Sequence, residues 1–409
     1  MVRFSEPFRL STTGSTRATA YWFANKSVTL GGKTHVVWLD AVAQVCGRTY
    51  DHASSVWGDT IRLFEGCDNH TNPALTADEA GHLHLAYGPH GFGADWNQGR
   101  FNHVVSSEPG SLESWEPGDA FGYSATYASM VNSPSGVDCI VYRGGEKPCQ
   151  LMFQKQRPLG GWTSAKALMH QEIPPQYTNV GARIICTPDG TLYVGGHFYN
   201  KESAANSKGA AALKSTDMGA TWTDLKGEPA EVPIVLEERF AIPHPGGEQI
   251  YLSGLAVDPA GDLWAATMNH SIAPMYGQLS HWTGDVWETV DIGPCLPEDR
   301  VPQAGPIAFD TRGRLHLVLS SRRRDAEGPW WGNSSEEVFH LVSDGGTGPF
   351  ECNQVSPTDE AGASWLPSLS LPGPSHPVDD PVIIYTRGSK GEGLKPATTT
   401  EVYCVFVEL

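Results

Sequence analysis

Positive charge is scarce in this chain: 28 Lys and Arg stand against 46 Asp and Glu, a formal net charge of −18 over 409 residues. Nucleic-acid binding rests on basic patches that neutralise phosphates, so that class of partner is excluded. An anionic sugar is not, because a small ligand feels the local field of its cleft more than the global charge. Charged residues make up only 18% of the chain, fewer than a helix-rich protein of this length carries. The eight cysteines (46, 67, 139, 149, 186, 295, 352 and 404) contain no CxxC pair, which argues against a zinc ribbon. Several lie inside apolar strand patterns such as VDCIVY and VYCVFV and read as buried free thiols. No apolar run approaches membrane-spanning length, and the opening MVRFSEPFRL has no apolar leader core. The expectation is a cytoplasmic protein, or a secreted or periplasmic one whose leader has been removed, with no membrane partner.

What the sequence has in quantity is 45 Gly, 30 Pro, 13 Trp and 13 Tyr, a composition suited to short strands and tight turns. One phrase recurs: an apolar strand, a turn with Asp and Gly, then a second strand alternating apolar and polar residues. Clear copies are HTNPALTADEAGHLHLAYGPH from His70, TYASMVNSPSGVDCIVYR from Thr126 and GARIICTPDGTLYVGGH from Gly181. Others are YLSGLAVDPAGDLWAATMNH from Tyr251 and AGPIAFDTRGRLHLVLSSR from Ala304, with looser copies from Ala20 and Ser364. Each reads as a β-hairpin followed by weaker strand material. Repetition at roughly 40 to 70 residues predicts an all-β, seven-bladed β-propeller of four-stranded antiparallel blades, one domain over residues 1–409. A β-helix would need shorter and more uniform repeats. STDMGATW, residues 215–222, matches the Asp-box turn of sialidase-like propellers, and SEPFRLS is expected to close the last blade beside VYCVFVEL.

In a hairpin the start of the first strand and the end of the second share one end, so polar residues there converge near the axis. The residues at those points are His70, Asn72 and His90, then Tyr127 and Arg143, then Tyr177, Asn179, His197 and Tyr199. Tyr251, Asn269, His270 and the run Arg322, Arg323, Arg324 follow, with Asp40, Trp365 and Arg387 from the first and last units. His and Tyr exchange protons when their pKa values are tuned, and Arg pairs carboxylates. Asp78, Asp189, Asp258 and Asp310 fall in the turns at the other end, so the pair of flanking carboxyls an ordinary glycosidase needs is not seen. His82, His84 and His316 read as structural, and the three-arginine run more as solvated loop than clamp. His70, His90 and His197 would suit a three-histidine zinc site, but no acidic residue stands at a spacing that would orient them, and no metal is assigned.

The run DNHTNPALTADEAGHLHLAYGPH, then TYASMVNSPSGVDCIVYR, then GARIICTPDGTLYVGGH with its Asp-box, resembles the BNR-repeat polysaccharide lyases, the ulvan lyase and rhamnose–glucuronate lyase type. The likeness is strongest from Asp68 to Trp222. It implies β-elimination at a 4-linked uronate, leaving a 4,5-unsaturated sugar. It implies further that Arg143 neutralises the substrate carboxylate, that His70 and Tyr127 are the proton-transfer pair, and that His90 assists. Asn72, His197, Tyr199, Tyr177, Asn269 and Arg322 are substrate-binding candidates by position. The expected partner is an acidic oligosaccharide or polysaccharide; no cofactor is required, and a structural calcium is allowed although no D-x-D-x-D loop places it. Asn69 stands where a second acidic residue before the His is expected. The alternatives are a sialidase-like glycoside hydrolase, suggested by the Asp-box and RFAIP from Arg239, and a non-catalytic carbohydrate-binding propeller.

Overall fold

The recurring turns are locked by their own side chains. Asp78, Asp258 and Asp310 each accept the backbone N–H four residues on, at 2.8, 2.9 and 2.9 Å, through one carboxylate oxygen. The glycines that follow, Gly81, Gly261 and Gly313, sit at φ of 88°, 95° and 78°, a conformation that side chains with a Cβ resist. Each turn therefore sets the register of the hairpin it closes.

The computed structural model describes residues 2–41, 43–91, 97–145, 149–171, 178–179, 181–200, 209–244, 246, 250–269, 276–303, 305–328, 331–358 and 362–408, with backbone alone at 178, 179, 199 and 200. Among them the hairpins grow into antiparallel sheets in chain order. Strands Ala74–Ala77, Leu83–Tyr87, Asn102–Ser106 and Trp115–Pro117 form one four-stranded sheet, and Thr126–Asn132, Asp138–Gly144, Gln150–Lys155 and Lys166–Met169 the next. Three more follow, opened by the hairpins Ala182–Cys186 with Leu192–Asn200, Ile250–Val257 with Leu263–Asn269, and Ile307–Phe309 with Arg314–Arg323. The ends of the chain share a ten-stranded sheet. There Phe8–Gly14 pairs with Thr400–Glu408, and also touches Lys33–Asp40 through the single pair Gly14 and Asp40. The N-terminal segment thus pairs with the C-terminal strand, as its sequence predicts.

Burial shows which strands are central. Ala74–Ala77, Thr126–Asn132 and Ala363–Leu369 are buried throughout, whereas Trp115–Pro117 and Trp287–Asp291 are largely open. The apolar core lies in the seams between consecutive sheets. One seam packs Val131, Val141 and Phe153 against Ile184, Val194 and Leu213. The turn at 215–222 seals its outer edge: Asp217 accepts from the Thr221 amide and hydroxyl, and Trp222 packs edge-on to Phe153 at 5.3 Å.

The first hairpin departs from the sequence reading. Residues 20–26 are not strand; the strand begins at Ser27, and Tyr21, Trp22 and Phe23 fold as a loop. Lys26 explains part of this. It is wholly buried, with its ammonium bonded to Asn72 Oδ1 at 3.0 Å and to the Pro73 carbonyl at 3.3 Å, and burial pushes its pKa down. The cysteines follow expectation in being free, five buried and three half-buried. Burial raises the thiol pKa values of Cys46 and Cys186 to about 12, which keeps them unreactive.

Candidate active site

The loop that enters strand Ala74–Ala77 is folded by its own polar groups. Thr71 Oγ1 accepts the Cys67 amide at 2.9 Å and donates to the Gly88 carbonyl at 3.0 Å. A Cβ at Gly66 would stand 2.2 Å from that hydroxyl, so only glycine fits. In this tight turn Asp68 Oδ1 accepts the His70 amide at 2.7 Å and His70 Nδ1 at 3.2 Å, while Oδ2 accepts His90 Nδ1 at 2.9 Å. The two imidazoles stack with centroids 3.9 Å apart and planes 13° from parallel. One carboxylate therefore clamps both rings.

Asp68 corrects the sequence reading, which found no acidic residue placed to orient these histidines. The acid stands two residues before His70, not one, and reaches it through a side-chain turn. Burial alone would push the Asp68 pKa up, but the hydrogen bonds from His70 and His90 outweigh it and hold the carboxyl well below its usual range. An ionised carboxylate only accepts, so each Nδ1 carries the proton, and the neutral ring of His70 keeps its lone pair on Nε2. Burial lowers the His70 pKa to about 4, so that ring is neutral near pH 7.

Tyr127 is delivered by a β-bulge. The ladder pairs Thr126 with Arg143 and then Ser129 with Val141, so Tyr127 and Ala128 together face Tyr142. Tyr127 has φ of 63°, a strained setting for an aromatic residue that turns its ring out of the strand's alternation. Its centroid is 6.3 Å from that of His70 and 6.4 Å from that of His90. The Arg143 guanidinium lies 4.6 Å from the Tyr127 centroid.

These groups line or back a cavity of about 680 Å³ walled by His70, His90, Tyr127, His197 and Tyr251. Residues that sequence reasoning missed complete it: Arg17, Tyr21, Trp331 and Lys390. Tyr21 packs edge-on to Tyr127 at 4.8 Å, and Arg17 Nη1 donates to its hydroxyl. His197 is 1% exposed, and burial lowers its pKa to about 3. A Cβ on Gly181 would come within 2.5 Å of its ring, which is why glycine precedes that strand.

Asn72 is support, not surface. Its Oδ1 accepts from the Tyr21 amide at 2.7 Å and from Lys26, its Nδ2 donates to the Ala128 carbonyl at 3.1 Å, and it is 1% exposed. Asn269 is likewise buried and donates to the Gly246 carbonyl instead of lining the cavity. Arg322 is half-buried near Glu336 and does not line this cavity either, while Arg323 and Arg324 are exposed. Tyr177 and His270 lie outside the described residues, as does the side chain of Tyr199.

A second cavity, of about 730 Å³, opens among the turns at Asp189, Asp258 and Asp310. It is slightly larger, but those carboxylates already cap their own turns, and no proton-transfer pair faces it. Three side-chain groups among the described residues have ligand atoms close enough for a cation: Asp68, His70 and His90; His84, His103 and Asp138; and Asp258, Asp262 and His281. In the first the aspartate already bonds both rings, and in the second Asp138 bonds His84 and lies 2.8 Å from His103 Nε2, and those contacts account for the geometry. His84 and His316 are structural as expected, each bonded to a buried aspartate, Asp138 at 2.6 Å and Asp310 at 3.2 Å. Among the described residues no helix is long and apolar enough to cross a membrane.

Comparison with known proteins agrees with this architecture. An ulvan lyase of Nonlabens ulvanivorans is 26% identical over 148 residues, 32% of this chain and 31% of that one. The chain therefore spans less than a third of that relative's length. An ulvan lyase of Pseudoalteromonas sp. (strain PLSV) is 22% identical over 340 residues, 72% of this chain and 68% of that one. Among solved structures, an ulvan lyase bound to -[GlcA(1-4)Rha3S]- superposes with a TM-score of 0.72 at 14% identity, covering 97% of this chain and 94% of that one. The model of a BNR repeat-containing family member matches residues 18–293, more than half of the sequence, and the chain belongs to that family.

Proposed function

We propose that this protein is a polysaccharide lyase that cleaves a 4-linked uronate by β-elimination, on a seven-bladed propeller in which the ten-stranded sheet counts as two blades. The observation that carries the reading is the Asp68 clamp, which sets the stacked imidazoles of His70 and His90 beside Tyr127 and the Arg143 cation. The likeness to ulvan lyases supports it.

Elimination needs three services. A base takes the C5 proton, and the electron pair of that C–H bond becomes the C4–C5 double bond. The C4–O4 bond breaks as an acid protonates O4. A cation stabilises the charge that builds on the carboxylate between these events. His70 is suited to the first, because it is neutral and its Nε2 lies opposite the nitrogen that Asp68 holds. Tyr127 is suited to the second as a phenol at the same wall, Arg143 behind it to the third, and His90 to orienting the carboxylate. His197 lines the cavity as a subsite residue. The roles of Tyr177 and Tyr199 in binding are part of the same proposal. Incubation with ulvan or gum-arabic oligosaccharides should yield a 4,5-unsaturated uronate, read as near-ultraviolet absorbance; saturated products across a uronate panel would overturn elimination.

A further inference from the structure

We propose that Arg17, Trp331 and Lys390 form a subsite that binds the anionic substituent of a sugar next to the cleaved linkage. The proposal takes its substrate class from the lyase reading but stands on separate residues.

Both cations are gathered on one indole. The Arg17 guanidinium lies 4.8 Å and the Lys390 ammonium 5.8 Å from the Trp331 ring centroid, and all three residues are half-buried on the cavity wall. The Trp331 ring is 6.2 Å from that of Tyr21 and 23° from parallel, and Tyr21 in turn abuts Tyr127. The corner therefore sits one aromatic ring beyond the proton-transfer groups, beside the reacting bond.

These cations have charge to offer. Arg17 gives its side-chain hydrogen bond to a neutral phenol, Tyr21, and no salt bridge holds it among the described residues. Lys390 has no hydrogen-bond acceptor among them. Glu336, a carboxyl that feels the charges of Arg322 and Lys390, is fully enclosed, and burial raises its pKa well above the ordinary value, which favours its uncharged form. Glu392 is the one carboxylate among the residues that line the cavity, and it is exposed. In a chain of net charge −18, two cations that form no salt bridge among the described residues, although Arg17 feels the charge of Asp68, mark a local field at the cavity wall reversed from the global one. Trp331 and Tyr21 add apolar faces for a sugar ring, so the corner can read ring and charge together. Carboxylate and sulfate share the needed chemistry.

The test is calorimetric binding in a His70→Ala background, which removes cleavage, with ulvan oligosaccharides in native, desulfated and carboxyl-reduced form. Removing the substituent that this corner reads should weaken binding about tenfold at low salt, and less as salt rises. Arg17→Gln and Lys390→Gln should each shrink that contrast, while Trp331→Leu should weaken all three ligands alike. Because His90 and Arg143 already face the uronate carboxylate in the lyase reading, the arm whose loss of affinity shrinks in these charge variants names the source, sulfate or carboxylate. A contrast unchanged in both charge variants overturns the subsite, as does failure of all three ligands to bind. If the unaltered protein makes no unsaturated product yet the charge contrast persists, the lyase reading fails and the subsite stands. If product forms but binding is independent of charge, the subsite fails and the lyase reading stands.

Discussion

Replacing Asp68 by asparagine changes almost no volume and tests whether one carboxylate sets the protonation of both histidines. Three hydrogen bonds converge on it, from the His70 amide at 2.7 Å, His70 Nδ1 at 3.2 Å and His90 Nδ1 at 2.9 Å. An amide has one accepting oxygen. It can keep both His70 contacts, but it then turns its NH₂ toward the His90 Nδ1–H, donor against donor. His90 must lose the bond or move its proton to Nε2. One charge-assisted hydrogen bond is lost, about 2 kcal/mol, which should lower the melting temperature by a few degrees. If the amide flips instead, His70 is the ring whose cavity-facing nitrogen gains the proton, and its basic lone pair is lost. Either outcome should reduce turnover on a uronate oligosaccharide by about 10²–10⁴-fold, the range general acid–base catalysis supplies. The assays are calorimetric melting and the unsaturated-product absorbance. Wild-type turnover in Asp68→Asn would refute the clamp as a device for catalysis, even with the melting temperature lowered.

Three further expectations concern pH, charge and burial. The folded pKa of His70 is lowered from 6.5 to about 4 and that of His376 likewise, so the unfolded chain takes up protons first; the stability these neutral rings contribute is whole above pH 6.5 and is lost as pH falls toward about 4. Urea midpoints should therefore drop across that window, and a flat profile would contradict it. Arg143→Lys replaces a planar cation lying against Tyr127 with a point charge, and should lose about 10²-fold in turnover with an unchanged circular-dichroism spectrum. Asp138→Ala strips the acceptor from His84 at 2.6 Å and removes the carboxylate 2.8 Å from His103 Nε2 in a buried cluster at the other end of the strand from Arg143, and should cost about 3 kcal/mol in denaturant unfolding.

The fold was legible because its punctuation is local. Three of the hairpin turns carry their own aspartate and their own left-handed glycine, so Asp78, Asp258 and Asp310 announce strands without any knowledge of their neighbours. His70, His90, Tyr127 and Arg143 were legible for a related reason: they stand at the same end of neighbouring hairpins, and the structure brings them together. Asp68 was not, because its reach to two rings depends on a side-chain turn that pattern does not reveal; an Asp two residues before a His is the available signal. Arg17, Trp331 and Lys390 lie in loops between units, where no alternation marks which way a side chain points. Asn72 misled for the opposite reason. It holds the right position, but its amide is spent on the Tyr21 and Ala128 backbone and on Lys26.

The loop of Tyr21, Trp22 and Phe23 has a consequence for how this protein gains and loses activity. It leaves the first hairpin, yet Trp22 Nε1 bonds the carbonyl of Leu252, and the Phe23 carbonyl accepts from the buried Arg183. Thr19, just before it, bonds Thr386 and the Leu366 carbonyl near the C-terminus. A wall of this cavity is thus fastened simultaneously to the early, middle and late parts of the chain. No fragment that ends before Thr386 holds all three anchors, so this wall should assemble in a single late step, once the strands around Leu366 and Thr386 dock. Turnover then becomes a reporter of complete closure, and a cut in a distant loop should silence the site before it visibly unfolds the sheets.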